Sequence, residues 1–268
     1  MFSTGHLIFI AISLFLIAFG VFMCLKIRPK LSRMINICFA LSIISEIVKV
    51  LSVIEILPVV EPMVENGMLI YRETGQYAPY IQAEHLPFEL CSLQILFMFL
   101  SLIIKKDENR KKLYSTMYGT SIIGGTIAVF MASIAPEFET TAAFLSAPRA
   151  WQFFLYHAMI IVVGIYIGIS DESDIRFSDL KWMIVIVLGL DFLSFYLNSM
   201  MSVPYYVGDN IVGLAYGINY FSSYNNPLGI VMSTKGQYFI YLLIRIVIAL
   251  ILIPIVYLPL KLKKTNNE

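Results

Sequence analysis

Apolar residues fall into long blocks separated by short polar connections, with neither the alternation of half-buried strands nor the mixed pattern of a water-soluble helical domain. A helix needs about 20 apolar residues to cross the hydrocarbon core of a bilayer. By that criterion the blocks are His6–Leu25, Met34–Leu57, Pro87–Ile104, Leu113–Ile134, Trp151–Ile169, Leu180–Met200 and Gln237–Leu260. The third is the shortest, and the last carries Pro254 and Pro259 near its end. The pattern predicts an all-α membrane protein: one domain over residues 1–268, a bundle of seven transmembrane helices. The two longest connections, residues 58–86 and 202–236, contain Tyr, Pro, Gly and Asn; each reads either as a plain surface loop or as part of a site.

Lys and Arg set the orientation. The first connection holds Lys26, Arg28, Lys30 and Arg33, the third Lys105, Lys106, Arg110, Lys111 and Lys112, the fifth Arg176 and Lys181. The tail, residues 261–268, adds Lys261, Lys263 and Lys264, whereas the other side offers Arg72, Arg149 and Lys235. The N-terminus is therefore expected outside and the C-terminus in the cytosol, which makes both long connections extracytoplasmic. Asp171, Glu172, Asp174 and Asp179 in the fifth connection do not oppose this, because acidic residues weigh little in the rule. A chain 59% hydrophobic and 14% charged, at net charge +1, gives no ground for nucleic-acid binding and points to membrane lipids as its partners. The first block ends in basic residues, not a small-residue cleavage site, so a removable signal peptide is not expected, nor is an appended soluble domain. The expected location is the cell membrane.

Polar groups inside the blocks are the candidate chemistry, since ionisable residues in a bilayer normally face the bundle interior. Ser42, Ser45, Glu46, Lys49 and Ser52 share one stripe of the second helix, and Glu46 can pair with Lys49. The stripe reads as interhelical glue or as the lining of a cavity. Asp191 and Asn198 lie in the sixth helix, and Tyr238, Tyr241 and Arg245 share a face of the seventh. Asp191 and Arg245 sit at similar depths and are expected to form an architectural ion pair. In the alternative reading, a transporter or permease-like protein, Glu46, Lys49, Asp191 and Arg245 line a polar path; a sensor or assembly factor without chemistry is a further rival.

Cys91 and His157 form the most specific constellation. With Pro87 in the first turn of the third helix, Cys91 lies four residues along an inward-running span, and His157 lies six residues past Trp151 on another. Both are then about 6–9 Å below the outer helix ends. A thiolate with a nearby imidazole base could take an acyl group from an ester and pass it to an alcohol, amine or water. The plain alternatives are a buried small hydrophobe for Cys91 and an interhelical hydrogen bond for His157. If the third helix begins at Pro87, His85, Glu89 and Ser92 share one face, while Cys91 and Gln94 point elsewhere. Glu89 could then orient His157 from across the bundle. His6, His85 and His157 all fall near outer helix ends, but no tight metal-ligand spacing accompanies them or Cys24, Cys38 and Cys91, so no metal or other cofactor is expected.

The run His85-Leu-Pro-Phe-Glu-Leu-Cys91-Ser92-Leu resembles the HLPxxxCS segment of the YwaF-like family of bacterial integral membrane proteins. Phe153-Phe-Leu-Tyr-His157-Ala-Met is similar to that family's aromatic-rich helix with an embedded His. The stretch from Asp209-Asn210 through Ile218-Asn219-Tyr220 to Asn226-Pro227 resembles its segment before the last helix, without a Lys before Pro227. Lys235-Gly-Gln-Tyr238 stands where relatives carry an aromatic Gly-Pro-Trp-Pro-Trp-like end. The family is related to animal TMEM-type acyltransferases that remodel acyl chains of ether phospholipids. The resemblance implies acyl transfer or hydrolysis with Cys91 and His157 as the catalytic pair, and His85, Glu89, Gln94, Asn219 and Tyr220 as candidates to orient it or bind a headgroup.

Overall fold

The computed structural model describes residues 3–65, 68–132, 134, 138–207, 210–216, 219–220 and 233–262. Part of the second long connection, including Asp209, Ile218, Asn226 and Pro227, and the tail from Lys263 onward lie outside the described residues. Among the described residues, eight α-helices run in chain order: α1 Thr4–Ile27, α2 Leu31–Val53, α3 Leu93–Ile103, α4 Asp107–Phe130, α5 Thr141–Ser146, α6 Pro148–Ile169, α7 Leu180–Met201 and α8 Lys235–Leu262. Among the described residues, α1, α2, α6, α8 and the stretch Phe177–Met201 containing α7 are long and apolar enough to span a bilayer, giving five such helices where seven are expected.

The other two expected spans differ for physical reasons. The α3 helix has only 11 residues, about 16 Å of rise. It begins at Leu93 rather than Pro87 because the preceding turn is wound tightly: the N–H groups of Gln94 and Ile95 reach back three residues, to the carbonyls of Cys91 and Ser92, each at 3.1 Å. The α4 helix starts six residues earlier than expected, taking in Asp107, Glu108, Arg110, Lys111 and Lys112, and its polar Ser115, Thr116, Thr120 and Ser121 are fully buried. That inward polar face lowers its overall apolarity and makes it a central helix rather than a lipid-facing one.

The expectation of an all-α chain also needs correction. The first long connection is an antiparallel hairpin, β1 Glu55–Glu65 with β2 Met68–Tyr80, running from Glu55↔Tyr80 to Glu65↔Met68 with an irregularity between Pro58 and Val60. A second hairpin pairs β3 Val203–Val207 with β4 Asn210–Tyr216. Proline at Pro58, Pro62 and Pro79 hides the strand signal, since it cannot donate to a ladder and is tolerated only where its nitrogen faces away from a partner.

The bundle closes around α6. Its apolar core is 67% buried, against 11–28% for the other long apolar helices. Glycines permit the approach of α4: a Cβ at Gly164 would lie 3.0 Å from side-chain atoms of Ile122 and Ser121. On another face, the amide of Gln152 donates to the Ser45 hydroxyl of α2 at 2.8 Å. A second core, built on α1 and α6, stacks Phe9 on Phe154 at 4.6 Å between ring centroids.

Caps fix the helix ends. The Leu31 N–H at the start of α2 donates to the Glu172 carboxylate at 2.9 Å, so an acidic residue of the connection after α6 satisfies a free helix N-terminus. Thr234 and Gln237 form a reciprocal cap on α8: the Gln237 N–H donates to Thr234 Oγ1 at 3.2 Å, and Gln237 Oε1 accepts from the Thr234 N–H at 3.1 Å. Farther along α8, near Pro259, the Tyr118 hydroxyl donates to the Val256 carbonyl at 2.6 Å, supplying a donor to a helix carbonyl near the proline.

Candidate functional site

Cys91 lies in the turn immediately before the Ser92 N-cap of α3, not inside the helix. Its backbone carbonyl accepts two hydrogen bonds, one from the Gln94 N–H and one from the Tyr156 hydroxyl of α6 at 2.7 Å. The thiol is free and half-buried, with the Ser92 hydroxyl and N–H and the Glu89 carboxylate as its polar neighbours. Tyr156 itself is buried, and the sequence pattern did not single it out. The available signal was its hydroxyl: a phenol in the interior of an apolar helix needs a partner.

His157 is the next residue of α6 and is 4% exposed. One ring nitrogen, Nδ1, lies 2.7 Å from the Phe153 carbonyl. A carbonyl can only accept, so Nδ1 carries the proton and the neutral ring presents a lone pair at Nε2. Nε2 is buried and has no hydrogen-bond partner among the described residues. The ring packs 4.2 Å from Phe153 and edge-on to Tyr156 at 5.5 Å between centroids. Thus Tyr156, rather than His157, holds the Cys91 turn, and sulfur and imidazole are not hydrogen-bonded in this conformation.

Gln94 anchors α3. Its amide nitrogen donates to Thr120 Oγ1 at 2.8 Å, its amide oxygen accepts from Ser121 Oγ at 2.9 Å, and Thr120 passes its own proton to the Thr116 carbonyl at 2.7 Å. This buried chain of satisfied groups fixes the start of α3, and with it the Cys91 turn, to the centre of α4.

Tyr220 sits above the same turn. The Asn198 side chain clamps its backbone twice, donating to the Tyr220 carbonyl at 3.1 Å and accepting from its N–H at 2.9 Å. The Tyr220 hydroxyl donates to the Ala83 carbonyl, and its ring meets Phe88 edge-on at 5.5 Å. Asn219 precedes it, half-buried. His85 belongs to a separate helical turn, Ala83–His85, whereas Glu89 lies in the turn before α3. They therefore do not share the helical face expected of an i,i+4 pair.

The membrane-depth charges form two local pairs. Lys49 meets Glu46 at 2.5 Å within α2, and Arg245 of α8 pairs with Asp191 of α7 while lying 5.5 Å from the Tyr241 ring. Elsewhere, His6 Nε2 donates to the Val129 carbonyl at 3.0 Å. Among the described residues no three His, Cys, Asp or Glu side chains gather as a metal site.

No curated protein and no solved structure matches this chain. A family model does, over residues 1–257, a span that includes Cys91, Tyr156, His157 and both ion pairs. With that match across nearly the whole sequence, the chain belongs to the TMEM164 family, a family of transmembrane proteins.

Proposed function

We propose that this chain is a seven-span cell-membrane protein, N-terminus outside and C-terminus cytosolic, that transfers or hydrolyses a lipid acyl chain with Cys91 as nucleophile and His157 as base. The reading fits its likeness to bacterial YwaF-like proteins. The observation that carries it is the Tyr156 hydrogen bond to the Cys91 carbonyl, which holds the thiol-bearing turn against the turn of α6 that bears His157. The tautomer of His157 supports it too, because a base must keep a lone pair, as Nε2 does.

In the proposed reaction, Sγ attacks the ester carbonyl carbon while the thiol proton passes to His157 Nε2. The tetrahedral intermediate expels the lipid alkoxide, the C–O bond breaks, and His157 returns the proton to the leaving oxygen. An alcohol, amine or water then attacks the thioester, its proton goes to His157, and the C–S bond breaks with the proton restored to sulfur. These steps require Sγ and Nε2 to approach hydrogen-bond distance, a contact that commonly tightens only when substrate binds. Glu89, Gln94 and Asn219 remain the candidates for orientation and headgroup binding. The polar-path alternative is less favoured, because each of its four charges is closed in a local ion pair.

The test is alkylation by an iodoacetamide probe alongside isotope-traced lipid profiling of a deletion strain complemented with wild type, Cys91→Ala or His157→Ala. The proposal expects both variants to lose wild-type acyl turnover, with probe labelling at position 91 lost in Cys91→Ala while that of Cys24 remains. Wild-type lipid profiles in both variants would remove it. Solute uptake abolished by Glu46→Gln yet indifferent to Cys91→Ala would favour transport.

A further inference from the structure

At the end of the bundle away from Cys91, a cleft of about 620 Å³ opens between α4, α6 and α8. Gly168 is 12 residues beyond Tyr156 on α6, so the cleft lies roughly 18 Å along the helix from the Cys91 turn. Its walls include Tyr118 and Ile122 of α4, Ile165 and Gly168 of α6, and Ile255 and Pro259 of α8. The Tyr118 hydroxyl, the polar side-chain group on these walls, is already committed to the Val256 carbonyl. What the cleft offers a ligand is therefore hydrocarbon.

We propose that this cleft seats an acyl chain of an anionic phospholipid, at a site separate from the Cys91–His157 reaction and independent of it. Both α6 and α8 are long apolar helices, and Ile169 and Ile255 at the cleft are exposed on the bundle surface. In a bilayer that surface is met by lipid, while water has no polar partners in the cleft to hold it. At about 30 Å³ per water-sized group, the space takes on the order of twenty such groups, the scale of one lipid chain. Charge selects the headgroup. Lys261 follows Leu260 of the cleft wall in the last turn of α8 and has no ion pair among the described residues, whereas Lys111 and Lys112 at the same end are paired with Asp174 and Glu108. The residues after it read Leu-Lys-Lys-Thr-Asn-Asn-Glu, and with a single apolar side chain among seven they are too polar to fill an apolar cleft.

The test uses the full chain in nanodiscs containing phosphatidylglycerol or phosphatidylcholine with a photoactivatable diazirine on the acyl chain, and cross-links mapped by mass spectrometry. The expected result is severalfold enrichment on Ile165–Ile169 and Ile255–Leu260 over the lipid-facing Phe15–Phe22 stretch of α1, greater for phosphatidylglycerol. Ile255→Trp and, from the opposite wall, Ile169→Trp should each abolish the enrichment, Ile251→Trp should leave it, and Lys261→Gln should bring the two lipids level. Labelling on α1 serves as the internal reference in every variant. Labelling no denser in the cleft than on α1, enrichment that survives both tryptophan plugs, or equal enrichment by the two lipids in the wild type would overturn the proposal.

Discussion

Tyr156 holds Cys91 by its backbone rather than by its sulfur: the phenol donates to the carbonyl and leaves the thiol outside that hydrogen bond. Tyr156→Phe keeps the ring and removes the donor. The expected loss of stability is about 1 kcal/mol, read as a fall in the unfolding midpoint in detergent or nanodiscs. The alkylation rate of Cys91 should shift more than that of Cys24, which is remote from the turn. An unchanged rate ratio would show that the turn is held without Tyr156.

Arg245 and Asp191 form an ion pair in which both side chains are largely buried. Asp191→Ala leaves a cation among apolar helices and should cost about 3–5 kcal/mol. The double change Asp191→Leu with Arg245→Met should recover most of that loss, because no uncompensated charge remains. Thermal unfolding of the two variants side by side decides it; equal losses would mean that the charges are not coupled.

Gly164 and Gly189 are both helical, yet their surroundings differ. A Cβ at Gly164 meets the Ser121 side chain at 3.0 Å and the Tyr118 carbonyl at 3.1 Å, while nothing lies within 4 Å of one at Gly189. Gly164→Leu should destabilise by about 1–3 kcal/mol through overpacking. Gly189→Ala should be neutral or stabilising by up to about 1 kcal/mol through helix propensity. Opposite behaviour in a melting series would contradict the α4–α6 packing.

Asp174, in the connection between α6 and α7, is held below the usual carboxylate range chiefly by the hydrogen bond from Lys111, with Arg176 adding to it. A lowered folded-state value contributes stability that is fully present above the unfolded value of about 3.9 and is lost as pH falls through the folded value. The group is mostly exposed, so the effect should stay below about 1 kcal/mol. Lys111→Ala should remove this part of the acid dependence; an acid limb identical to that of wild type would assign the dependence elsewhere.

The long apolar helices were legible because lipid imposes length and composition together: α1, α2, α6, α7 and α8 lie close to the blocks that predict them. The residues of the Asp191–Arg245 pair could be matched by depth because α7 and α8 are consecutive spans. The two hairpins were not legible, since prolines and scattered polar residues erase the alternation that marks a strand. The α3 start was missed because Pro87 is a good first helical residue, while the interactions that set the turn, Tyr156 to Cys91 and Gln94 to α4, join positions far apart in sequence. The relation of His157 to Cys91 depends on the rotation of α6, which neither depth nor topology specifies.

The Asn198–Tyr220–Ala83 tether has a consequence for how this protein can vary. It couples the two long connections and α7 mechanically, so a lengthened or shortened first hairpin strains a residue more than 130 positions away. Chimeras that exchange one connection alone between homologues should express poorly, and exchanging both together should rescue them.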